Sequence, residues 1–175
     1  MKKPFVIIVF LVGIAMVWGC NPRPSLVSFN DKIVFNNLQL NSAGARFTAA
    51  ANLAIRNPGN ISQADSAFED AKSLLNRIKA DWDYQLLPKF PSKAAPEVMD
   101  AYKEFLSGQE TIVNVHMLKI MDTLKDGGMD QGTKQQVVSE EFRLMAQVEN
   151  NGFNPLSTAI RKFTSEHHLQ AEQKK

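Results

Sequence analysis

The chain has 175 residues, and its 20 Lys and Arg against 18 Asp and Glu leave a formal charge of only +2. No basic patch or stripe stands out, which argues against a nucleic-acid partner. A single cysteine excludes any disulfide within the chain.

The first element is a leader. Met1-Lys2-Lys3-Pro4 precedes FVIIVFLVGIAMVW, from Phe5 to Trp18. A basic head, an apolar run and a small residue at its end form the layout of a secretory signal peptide. The run falls short of the roughly 20 apolar residues that span a bilayer. With the lysines held on the cytoplasmic side, everything after it is exported. The stretch Val17-Trp18-Gly19-Cys20 resembles the lipobox of bacterial lipoproteins. That resemblance implies cleavage before Cys20, a diacylglycerol on its thiol and a palmitate-type acyl chain on the new N-terminus. Gly19 fits the residue before the cut and Val17 stands for the usual Leu, whereas Trp18 replaces the small residue normal there. More than one acyl chain makes membrane attachment stable. Asn21 stands where an Asp resembles an inner-membrane retention signal, so the outer membrane is the expected site, with the domain facing the periplasm. Loss of residues 1–19 removes Lys2 and Lys3, leaving 18 charges of each sign in a nearly neutral mature domain.

Residues 20–32, with Pro22 and Pro24, read as a lipidated tether. Residues 33–60 read as either a β-hairpin or a short helix. Phe47, Ala49, Ala51, Leu53 and Ile55 alternate at strand period, as do Leu38 and Leu40, with Ser42-Ala43-Gly44 able to turn between them. Phe47, Ala51 and Ile55 also fall at helical spacing in an Ala-rich run, so residues 46–56 stay open between the two. NLQLNSAGARFTAAANLAIRNPGN is similar to the opening of the LEA14-type β-sandwich. The strands such a domain needs next are replaced by a helical pattern.

That pattern is a heptad seam. Ile61, Ala64, Phe68, Ala71, Leu75, Ile78 and Trp82 alternate in steps of three and four. Ser62 with Asp65 resembles a capping box at its start, and Pro88 and Pro91 end it. A second helix starts at Pro96, carries Val98, Tyr102 and Phe105 or Leu106 inward, and stops at Gly108. A third spans Gln109 to Lys125, with Val113, Met117, Ile120 and Leu124 inward, until Asp126-Gly127-Gly128. A fourth has Thr133 and Gln136 as a capping box and Val138, Phe142, Met145 and Val148 as its stripe, ending at Asn150-Asn151-Gly152. A fifth opens with Asn154 and Pro155 and carries Leu156, Ile160 and Phe163. The predicted fold is therefore mainly α: an up-and-down bundle of four to five helices over residues 61–168, with or without a short N-terminal hairpin, and a disordered tail at 169–175.

Chemistry is sparse. His116 lies beside Met117 and Met121, which read as core filler rather than ligands, and His167-His168 fall in the polar C-terminus. The carboxylates Glu140-Glu141 and Asp81-x-Asp83 are too close along a helix to face each other and read as solvated. No nucleophile elbow, phosphate loop or zinc motif is present. No catalytic residue, metal site or cofactor is expected, and the chain reads as a non-enzyme. Aromatics crowd into Asp81–Pro91, where Tyr84 and Phe90 are the candidate interaction surface. The leading reading is an envelope-anchored lipoprotein: a non-catalytic helical binding or assembly module of the secretion, conjugation or phage-associated kind, with an envelope protein as partner. The alternative is a periplasmic bundle holding a small ligand or haem near His116, Met117 and Met121.

Overall fold

A computed structural model describes residues 23–82 and 94–167, with side chains over 29–81 and 94–167. The described chain is all-α, a bundle of four long helices. Helix α1 is Arg23–Arg56. A single 3₁₀ turn, Pro58–Asn60, leads into α2, Ile61–Trp82. Helix α3 begins as Ala95–Thr111, passes through a π-helical segment, Ile112–Met117, and continues as Leu118–Lys125. Helix α4 is Gln131–Glu166. Sequential helices pack antiparallel, with α1 on α2 and α3 on α4 as the two main pairings. No helix among the described residues is long and apolar enough to cross a membrane.

Helix α1 starts at Arg23, inside the expected tether, and runs through residues 33–56, which read as either a hairpin or a short helix. Phe29, Ile33, Asn36, Leu40, Ala43, Phe47, Ala51 and Ala54 are buried in a three-four seam running nearly the full helix, with Ile55 buried beside its end. A strand over 46–56 would have buried Leu53 on one face with Phe47, yet Leu53 is 48% exposed while Ala54 is buried. Helical period wins because it gathers more apolar area toward α2, where Phe47 and Phe68 rings lie 6.3 Å apart. Pro24 is no obstacle, since the first turn of a helix has free N–H groups to lose. Phe29 then packs edge-on against Phe163 of α4 at 5.5 Å, tying the start of α1 to the end of α4.

The α2 seam is inside, as its heptads predict: Ala64, Phe68, Ala71, Leu75 and Ile78 are all buried. The expected Ser62–Asp65 cap is not the one used. Asn57 caps the 3₁₀ turn, its side chain accepting from the Gly59 N–H at 3.0 Å, and α2 follows directly. Asp65 instead pairs with Lys125 at 2.6 Å.

Two pairs of expected helices are each one helix because two glycines do not break the chain, and α1 brings the described bundle to four. Gly108 sits inside α3, and Gly152 inside α4. A Cβ on Gly152 would lie 3.3 Å from the Phe105 Cα, and one on Gly108 would lie 3.4 Å from Val148 Cγ1. Both glycines let α3 and α4 approach closely. Pro155 is likewise inside α4; it removes one N–H, so the Asn151 carbonyl loses its helical donor there. The start of α4 is capped by Asp130, which accepts from the Thr133 N–H at 3.0 Å and from its hydroxyl at 2.5 Å, in place of the expected Thr133–Gln136 box.

Gly44 differs from Gly152, since nothing lies within 4 Å of a Cβ placed there. Gly44→Ala should stabilise the fold by roughly 0.5–1 kcal/mol through helix propensity alone. Gly152→Ala should give no such gain, because the backbone it meets cannot yield. Chemical denaturation of both variants checks the contrast.

Candidate functional site

The π-helical turn of α3 organises the most polar part of the interior. Phe105, Gln109, Val113, Met117 and Met121 are all buried, and they follow one another at four-residue steps. Four exceeds the 3.6 residues of an α-helical turn, so such a stripe drifts around the helix. One wide turn at Ile112–Met117 absorbs the drift and keeps the stripe inward.

On one side of this turn, His116 meets α4. Its Nδ1 lies 2.7 Å from Glu141 Oε2, and Lys119 Nζ lies 2.6 Å from Glu141 Oε1. Glu141 is only 2% exposed. Burial pushes its carboxyl up, but the hydrogen bonds and charges of Lys119 and His116 outweigh that and hold it below the usual glutamate range. An ionised carboxylate only accepts, so Nδ1 carries the proton and donates it. The pair Glu140-Glu141 is therefore not a solvated face. Glu140 is exposed and paired with Arg143 at 2.6 Å, while Glu141 is a core residue.

On the other side of the turn lies a cavity of about 290 Å³ between α1, α2, α3 and α4. Gln109, Ile112, Val113 and Met117 face it from α3, and Met145 and Glu149 from α4. Gln109 is 6% exposed and its Nε2 has no hydrogen-bond partner among the described residues. Burial raises the Glu149 carboxyl above its ordinary value. A group raised in this way favours the fold while protonated and loses that contribution as pH rises through its folded value. Glu149→Gln should therefore raise the melting temperature at neutral pH, with the gain disappearing below the ordinary glutamate value of about 4.3. Thermal melts of both chains across that range check this.

A third feature is on the surface. Val34, Phe35 and Leu38 of α1 are 42%, 59% and 62% exposed. Phe35 and Leu38 border an open groove of about 550 Å³ shared with α2, with Arg46, Asp70 and Arg77 at its polar edge.

Met117 and Met121 are core residues, 2% and 1% exposed, and His116 turns to Glu141 rather than to either. His167 contacts the Phe163 ring at 4.9 Å at the end of α4. Cys20, Tyr84, Phe90 and His168 lie outside the described residues. Among the described residues no three His, Cys, Asp or Glu side chains gather as metal ligands would. The sequence reading placed Glu141 on a solvated face and passed over Gln109 and Glu149. Glu141 had a legible signal, because it lies three residues after Val138 and four before Met145 and so occupies a seam position.

No family model matches the chain, and no curated protein or solved structure matches it.

Proposed function

We propose that this chain is an envelope-anchored lipoprotein acting as a non-catalytic helical binding module, attached through acyl chains on Cys20 and facing the periplasm, at the outer membrane. The reading of the leader rests on Val17-Trp18-Gly19-Cys20 and the apolar run before it. Binding is supported by one observation above the rest: the exposed apolar side chains Phe35 and Leu38 beside the α1–α2 groove. Apolar side chains grouped at a concave, polar-rimmed surface mark protein contacts. Two arginines against one aspartate at the rim suit an apolar segment with acidic flanks on an envelope protein.

The start of α1 at Arg23 sharpens the geometry. Three residue steps separate it from Cys20, and they reach at most about 10 Å. The bundle then stands close to the bilayer, with the starts of α1 and α3 and the ends of α2 and α4 nearest the lipid.

Photocrosslinking in intact envelopes tests the binding face. A photoreactive residue at position 35 or 38 should give a discrete adduct with one envelope protein, and the same probe at exposed Gln135, on α4, should not. Equal labelling from both sites, or none from either, would sink the proposal.

A further inference from the structure

The cavity beside the π turn has the features of a small-molecule site, and it is independent of the α1–α2 groove. Its room comes from side chains that are missing. Ala43, Gly44, Ala45, Ala71 and Ala146 line it, and a Cβ added at Gly44 meets nothing within 4 Å. Small side chains at these positions leave a cleft between the helices that opens to solvent beside exposed Ala45 and Ala146. The volume of about 290 Å³ stands at the lower edge of the roughly 300–1,000 Å³ typical of small-ligand pockets.

The polar groups restrict the ligand. Gln109 lines the cavity and is buried beyond nine-tenths, and its Nε2 has no acceptor among the described residues. A buried amide N–H left without an acceptor is destabilising, and a ligand oxygen would satisfy it. Glu149, half-buried at the same cavity, repels an anion and can accept from a ligand donor. The rest of the wall is mostly apolar, with Leu40, Ile112, Val113, Met117, Phe142 and Met145, and Asn41 and Thr48 add polar side chains from α1. A hydroxyl or a carboxamide can both accept from Gln109 and donate to Glu149. A fully ionised carboxylate or sulfonate head has no donor for Glu149.

We propose that this cavity binds a small neutral amphiphile, its apolar body against Met117 and Met145 and its hydroxyl or carboxamide head at Gln109 and Glu149.

The test uses the full chain in a membrane mimetic with ¹³C-labelled methionine methyls, titrated with tryptophol, which has a hydroxyl head, and with indole-3-acetate, which has the same ring and an anionic head. Tryptophol should shift the Met117 and Met145 methyls and leave Met129, in the α3–α4 turn, unmoved. Indole-3-acetate should bind at least about tenfold more weakly, a difference of about 1.4 kcal/mol. Gly44→Leu, which fills the cavity, should abolish the tryptophol shift while the far-ultraviolet circular dichroism stays helical. Should that variant fail to fold, Gln109→Leu, close in size, should weaken tryptophol about tenfold or more. Unmoved methyls at millimolar tryptophol would mean the cavity holds water only. That outcome overturns the proposal, as does equal affinity for indole-3-acetate or binding that survives both Gly44→Leu and Gln109→Leu.

Discussion

Replacing both partners of Glu141, as His116→Leu with Lys119→Ala, should cost about 3–5 kcal/mol of folding stability at neutral pH, the penalty for leaving a buried charge without compensation. Glu141 is 2% exposed, and its two oxygens lie 2.7 Å from His116 and 2.6 Å from Lys119. Removing one partner leaves the other, so the double variant should lose more than the single ones sum to. The effect also has a pH signature. In the native chain the Glu141 carboxyl is held below its ordinary value. Its contribution is therefore present above the unfolded value of about 4.3 and is lost as pH falls through the lower, folded value. In the double variant only burial acts, and burial raises the carboxyl. The deficit is then largest at neutral pH and shrinks on acidification, as protonation removes the buried charge. Melting curves of the two chains should converge toward acid. A deficit that stays constant from neutral to acid pH would show that Glu141 is not the group responsible.

Phe47→Ala should cost about 3–5 kcal/mol, as expected for emptying a buried aromatic site. Phe47 is fully buried at 0% exposure, opposite Phe68 in the α1–α2 contact. In a domain of this size that corresponds to a fall in melting temperature of about 6–20 °C. Phe35 offers the control on the same helix. It is 59% exposed, so Phe35→Ala should change stability by no more than about 0.5 kcal/mol while removing the proposed partner contact. The two substitutions thus separate folding from binding. If Phe35→Ala unfolded the chain as badly as Phe47→Ala, the α1–α2 face would be part of the core.

Where apolar residues kept a clean period, the fold was legible. The α2 seam from Ala64 to Ile78 and the inward positions Val98, Tyr102 and Phe105 are buried as their spacing predicts. Trouble came where one residue type serves two purposes. In α1, alanines at 49, 50, 51 and 54 satisfy both periods, and the distinguishing fact is that Leu53 faces water while Ala54 does not. In α3 and α4, Gly108 and Gly152 resemble helix stops, but each occupies a point where the two backbones meet. Such a contact depends on a partner helix far away in sequence, and no local pattern reports it.

The polar interior was the hardest part to read. Glu141 and Gln109 occupy seam positions that a search for apolar stripes passes over, and a charged residue is rarely fully buried unless paired. Their environments depend on long-range placement, with His116 and Glu141 25 positions apart and meeting only because α3 and α4 run antiparallel. Asn36 and Tyr102 make the same point. The Asn36 side-chain amide donates to the Tyr102 hydroxyl at 3.1 Å inside the bundle, and burial pushes that phenol up to about 12. Neither partner alone announces the pair.

Everything proposed about where the bundle works rests on Cys20, and the intact mass of the chain extracted from envelopes tests it most directly. The expected mass is that of residues 20–175 plus a diacylglycerol and an amide-linked acyl chain. The Cys20→Ser chain should keep residues 1–19 and carry no lipid. A native mass equal to the full 175 residues without lipid, or a chain cut elsewhere with a free Cys20 thiol, would contradict the lipid anchor and with it the envelope role.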